Sequence, residues 1–169
     1  MTISVGSKLP DATLLIKGDQ GVKPVAMAAK LSGRKVVIFG LPGAFTGTCS
    51  TSHVPSFMRV ADKLRAMGVD EIICVSVNDP AVMKAWGEST GATAKGITLL
   101  GDADASFTKA IGLAYTAPKD GFFDRSKRYA LYAVDGVVKV LNIGKETSAC
   151  EISGGEAMLD AIQSGSASI

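Results

Sequence analysis

The chain has 169 residues, a net charge of +2 and a hydrophobic fraction of 47%, enough for one domain with a sizeable core. Its charges are balanced and its aromatics few (6%), so no basic, aromatic-interleaved stripe suggests a nucleic-acid partner. No apolar run approaches the roughly 18 residues of a membrane span, and the start, MTISVGSKLP, lacks a secretory pattern. Three cysteines are too sparse for a secreted disulfide framework and suit a reducing interior. That places the protein in the cytoplasm, or in an organelle if a transit peptide has been removed.

In chain order, ATLLIK (12–17) reads as a strand followed by the turn GDQG. PVAMAAKL (24–31) reads as a short helix opened by Pro24. KVVIFGL (35–41) is a β-branched and aromatic run, expected to be a strand buried on both faces. From Thr48 to Met67 the pattern is helical, with Val54, Phe57, Met58, Ala61 and Leu64 at spacings of three and four. Pro55 lies inside it and predicts a kink or a tightened first turn.

EIICVSV (71–77) is a second buried strand. The helix that follows is capped by Asn78 or Asp79, with Pro80 at its first position. GITLLGD is a strand, 103–113 a short helix, and 114–124 a loop. RYALYAV and VVKVLNI flank the Asp135-Gly136 hairpin signal. GGEAMLDAIQS closes the chain as a helix, with 165–169 a frayed tail. The order predicts one α/β domain over 1–169, of thioredoxin-like fold, with a central mixed β-sheet flanked by helices and an N-terminal extension.

The chemistry concentrates in LPGAFTGTCSTSH (41–53), at a strand-to-helix junction. The usual role of a lone cysteine is that of a small buried hydrophobe, which suits Cys74 in mid-strand. Cys49 is different. Unpaired N–H groups at a helix start stabilise an anion, and thiol pKa values there fall from about 8.5 into a range of roughly 3.5 to 7.5. His53, one helical turn on, could form a Cys–His pair. The preferred reading is a histidine bonded to backbone that orients the loop.

With one histidine and no zinc-like cysteine spacing, no metal site is expected. GLPGAFTG is neither a dinucleotide fingerprint nor a P-loop, and Cys49 has no C-x-x-C partner. A nucleophile elbow would need a glycine where Thr51 stands, so a cysteine hydrolase is disfavoured.

Pro42, Thr46 and Cys49 stand as P-x-x-x-T-x-x-C, which resembles the peroxidatic signature of peroxiredoxins. The longer PGAFTGTCSTSHVPSF is similar to the type II, atypical two-cysteine branch. GVDEIICVSVNDPAVMKAW (68–86) and RSKRYALYAVDGVVKVLN (125–142) resemble its plant-like members. Gly47 departs from the pattern, which usually has proline there, and GKETSACEISGGEAM (144–158) departs near the C-terminus.

The resemblance implies a thiol peroxidase for hydrogen peroxide, alkyl hydroperoxides and peroxynitrite. It implies no metal, haem or flavin cofactor, glutaredoxin/glutathione or thioredoxin as reductant, and a homodimer. It assigns Cys49 as nucleophile, Thr46 as hydroxyl partner, Arg128 as the fixed guanidinium and Pro42 as shield. In the plant-like branch a resolving cysteine stands where Cys74 does; in the mammalian-type branch it lies in the general region of Cys150. The mid-strand position of Cys74 predicts a packed side chain, too far from Cys49 to bond without local unwinding. An external thiol is therefore ranked first as resolver, Cys74 second and Cys150 third. The competing class is a non-enzymatic redox sensor using the same cysteine.

Overall fold

The computed structural model describes residues 1–47, 52–144 and 152–166. The run KVVIFG becomes β3 (Lys35–Gly40), with every residue after Lys35 buried. Such a strand has no polar face, so it can sit only in the middle of a sheet covered on both sides. It pairs in parallel with β4 (Glu71–Ser76), which pairs in parallel with β5 (Thr98–Gly101). On its other side β3 pairs antiparallel with β8 (Tyr129–Val134), and β8 with β9 (Val137–Ile143).

The β8–β9 turn has φ of 50° at Asp135 and 77° at Gly136, the doubly positive turn that the Asp-Gly signal predicts. β1 (Thr13–Gly18) and β2 (Gly21–Ala26) complete a seven-stranded mixed sheet in the order β2-β1-β5-β4-β3-β8-β9.

Alternate side chains of the central strands feed two cores. Val37, Phe39 and Cys74 face α2 (Val54–Ala66), α3 (Pro80–Thr90) and α5 (Gly155–Ser166), through Phe57, Leu64, Trp86 and Met158. Val36, Ile38, Ile73 and Val75 face the opposite layer, where α1 (Met27–Leu31) and α4 (Ser106–Ala110) supply Met27, Leu31 and Phe107. Helices on both faces of a mixed sheet give the expected fold class. α3 begins as its residues dictate: Asp79 accepts from the Val82 N–H at 2.9 Å, and Pro80 takes the first helical position.

Three expectations are corrected. Pro24 does not open a helix; it lies in β2, opposite Leu15 of β1. β2 is an edge strand with one neighbour, so a missing N–H leaves no ladder bond unmade. The helix that follows is only α1. Residues 114–124 are likewise not a plain loop. They contain β6 (Ala114–Ala117), a 3₁₀ turn (Pro118–Asp120) and the start of β7 (Phe122–Ser126), a separate two-stranded sheet. An edge-on Tyr115–Phe122 ring contact at 6.4 Å pins this hairpin. At the C-terminus α5 continues through Ser166, taking in the first two residues expected to be frayed.

Candidate active site

The turn after β3 carries the residues in question. Leu41, Pro42 and Gly43 are buried, Ala44 and Thr46 half-buried, and Phe45 exposed. Three bonds set its shape. The Thr46 hydroxyl donates to the Gly43 carbonyl at 2.7 Å, so its oxygen keeps acceptor capacity for another group. Asn78 Oδ1 accepts the Ala44 N–H at 3.0 Å; because Asp79 is the cap of α3, Asn78 is left for this task. Arg125 Nη1 donates to the Pro42 carbonyl at 3.0 Å, with its guanidinium 5.2 Å from the Phe122 ring centroid.

A Cβ at Gly43 would lie 2.5 Å from Arg125 Nη1, so a side chain there would displace the guanidinium from the Pro42 carbonyl. Phe45 is held at φ 62°, a left-handed conformation that costs an ordinary side chain about 1 kcal/mol or more. Gly47 is helical, and among the described residues a Cβ there would meet no atom within 4 Å. Among the described residues, packing does not demand glycine at this position.

Cys49 and Cys150 lie outside the described residues. The residues flanking Cys49 are informative nonetheless. Ser52 and His53 form a π-helical turn before α2, and Pro55 sits in the first turn of that helix. The expected kink or tightening is thus a widened turn, of the kind that often marks a functional site.

His53 is wholly buried. Its ring packs on Phe39 (5.2 Å) and Phe57 (5.8 Å), two rings themselves stacked at 4.1 Å. Nε2 is 2.9 Å from the Ser153 carbonyl, and Nδ1 is 3.5 Å from Arg128 Nη1. Burial, helped by repulsion from Arg128, lowers the pKa to about 4 against the opposing pull of the Ser153 bond. The ring is neutral at pH 7. Because a carbonyl can only accept, Nε2 carries the proton and Nδ1 offers a lone pair. The backbone-bonded reading of His53 describes this geometry, with the Arg128 contact added to it.

Arg128 is 3% exposed, at the entry to β8. The described residues therefore fall into two groups: Pro42 and Thr46 in the turn after β3, a turn held by Asn78 and Arg125, and His53 with Arg128 beside the segment entering α5. Cys74 is not among them. It is fully buried in β4, between Phe39 and Leu99 on the neighbouring strands. Among the described residues no group of three His, Cys, Asp or Glu is gathered as a metal site would require. No helix among them is long and apolar enough to cross a membrane.

Arg125, Asn78 and Ser153 were not legible as site residues. Each acts through a single bond to or from a backbone group, which leaves no mark in spacing or periodicity.

Comparison with known proteins supplies the remaining context. The redoxin family pattern matches residues 4–159. Peroxiredoxin-2E-2, chloroplastic, of Oryza sativa subsp. japonica is 48% identical over 165 residues, covering 95% of this chain and 73% of that protein. Peroxiredoxin-2C of the same plant is 44% identical over 161 residues, covering 95% and 98%. The crystal structure of reduced Prx3 from Vibrio vulnificus in complex with hydrogen peroxide is 45% identical with a TM-score of 0.87, covering 95% of this chain and 99% of that one.

Proposed function

Because the chain belongs to the redoxin family, as one of its peroxiredoxins with thiol peroxidase activity, we propose that Cys49 is the nucleophile and that the substrates are hydrogen peroxide, alkyl hydroperoxides and peroxynitrite. The observation that carries this reading is the buried Arg128 guanidinium beside His53, which stands four residues after Cys49 in the sequence. A cation there lowers the thiol pKa and stabilises charge developing on the departing oxygen. Arginine keeps its proton throughout.

In the proposed step the Cys49 thiolate attacks the terminal peroxide oxygen. A sulfur–oxygen bond forms, the O–O bond breaks and sulfur gives up two electrons; a departing alkoxide or hydroxide takes a proton from water, and peroxynitrite releases nitrite. Thr46, its own proton bonded to Gly43, accepts the O–H of the incoming hydroperoxide. Pro42, buried within the turn, limits water around the thiolate.

The product is a sulfenic acid. An external thiol displaces its oxygen as water, and a second thiol reduces the mixed disulfide. The full burial of Cys74 supports ranking an external resolver above it. We assign the reductant to glutaredoxin/glutathione or thioredoxin. We also infer a homodimer packed near the turn, where Phe45 and Phe123 are 57% and 63% exposed. The compartment is the cytoplasm, with an organelle as the alternative that the chloroplastic rice relative supports.

The test is peroxide consumption by the intact chain with each reductant system in parallel, beside Cys49→Ser. Many turnovers with at least one system, and none in the variant, are expected. Substantial turnover in Cys49→Ser would remove Cys49 from its role. Oxidation that stops at one equivalent with both reductants would replace the peroxidase account with that of a redox sensor.

A further inference from the structure

His53 is buried between the segment entering α5 and the entry to β8. Below the ring lies the segment entering α5, brought close by a stitch of small residues. Ser56 Oγ donates to the His53 carbonyl at 2.6 Å and accepts the Gly155 N–H at 2.9 Å. Gly155 permits this approach, since a Cβ there would collide with the Ser56 carbonyl. The stitch places the Ser153 carbonyl 2.9 Å from Nε2 and so fixes which nitrogen holds the proton. The other nitrogen faces Arg128 at 3.5 Å.

We propose that His53 is a positioning residue for Arg128: anchored through Nε2–H on the Ser153 carbonyl, it offers Nδ1 as the neutral acceptor that orients the guanidinium. The proposal rests on the reading of Arg128 as the cation of the site. Its logic is electrostatic. A buried guanidinium needs acceptors for its five N–H groups. A carboxylate would hold it more strongly, but would also cancel the charge that a thiolate and a departing oxygen require. A neutral imidazole orients without cancelling. The 3.5 Å separation is long for a hydrogen bond, as suits a contact that steers more than it binds.

Two substitutions separate the two bonds of the ring. In His53→Asn the side-chain oxygen falls near the place of Nδ1, keeping an acceptor for Arg128 and giving up Ser153. In His53→Gln the longer amide reaches toward Ser153 and gives up the acceptor. The measurements are the rate of Cys49 oxidation by hydrogen peroxide, the pH profile of Cys49 alkylation, and the thermal midpoint.

His53→Asn, without its Ser153 anchor, should lose only a few-fold in rate and leave the alkylation profile close to that of the parent. His53→Gln should lose about tenfold or more in rate and move the alkylation profile to higher pH. If the ring matters only as a stitch to Ser153, the order of the two variants reverses. Reversal, equal loss in both, or no change in either would each overturn the proposal. The tautomer is read separately by ¹⁵N chemical shifts of the imidazole in the intact chain at pH 7. A protonated Nε2 and bare Nδ1 are expected, and a proton on Nδ1 would overturn the assignment. That readout does not depend on peroxidase activity, so failure of Cys49 as nucleophile and failure of His53 as positioner are distinguishable.

Discussion

Arg125 and Arg128 leave the same short segment, yet they serve two unlike regions of the site. Arg128 belongs to an inner wall with His53, Ser153 and Phe39, where the residue is 3% exposed and its guanidinium meets a neutral ring. Arg125 belongs to an outer rim with Phe45, Phe122 and the β6–β7 hairpin. There it is half-exposed, lies against an aromatic face and spends a donor on a backbone carbonyl. The wall can set charge, because a buried cation is little screened; the rim can set only backbone geometry, because solvent weakens its field. One residue type thus has two physical roles, decided by depth.

The sharpest break of that contrast is Arg128→Met. It removes a buried charge while keeping much of the side-chain bulk, and we expect the peroxide rate to fall by about 10²–10³, as when a preorganised donor is deleted. Stopped-flow oxidation of Cys49 measures it; a loss of only a few-fold would demote the wall.

The next effect in size is on stability and concerns His53. Among the described residues the charged group facing it is Arg128, with the Ser153 carbonyl and the Phe39 and Phe57 rings around it. Its pKa is lowered from 6.5 to about 4, so the unfolded chain takes up a proton across a window in which the fold does not. Stability is fully present above 6.5, falls as pH drops toward 4 and levels off below it. The loss is about 3 kcal/mol if the residue acts alone. Denaturant midpoints across that window should slope less in His53→Asn than in the parent; parallel slopes would contradict the buried neutral ring.

Arg125→Ala tests the rim. The turn should lose one of its side-chain anchors, and the peroxide rate should fall by about tenfold through misplacement of the nucleophile. The alkylation profile should stay where it was, and an alkylation shift as large as that of Arg128→Met would erase the distinction. The smallest effect is expected from Cys74→Ala, deep in β4 and away from both regions. Turnover with an external thiol should stay at the parent level. Mass mapping after one equivalent of peroxide, without reductant, should find sulfenic acid or its over-oxidised forms on Cys49 in the parent chain. A rapid, near-complete Cys49–Cys74 or Cys49–Cys150 disulfide would overturn the proposed order of resolvers.

Sequence reading reached the parts of this molecule in which local chemistry and tertiary position agree. KVVIFG and EIICVSV have no polar face, so burial on both sides was implied, and Asp79-Pro80 and Asp135-Gly136 specify a cap and a turn through their own backbones. Pro24 misled because a proline at a helix start and a proline on a sheet edge look alike until the strand beside it is known. β6 and β7 were hidden by the proline and glycine between them, by Asp124 at φ 52°, and by a register shift that breaks their alternation.

At the proposed site, Pro42, Thr46 and Cys49 are legible as one local motif. Arg128 came only from the family resemblance, because nothing in its neighbours points to a partner so distant in sequence. The Ser153 carbonyl under His53 had no signal at all, since any residue provides a carbonyl, and only the close approach at Gly155 brings this one into place.

The most direct test of the account is the pH dependence of Cys49 alkylation in the intact reduced chain, compared with Arg128→Met. The parent pKa is expected well below the ordinary thiol value of about 8.5, with a distinct rise in the variant. A parent value near 8.5, or a low value that Arg128→Met leaves unchanged, would contradict it.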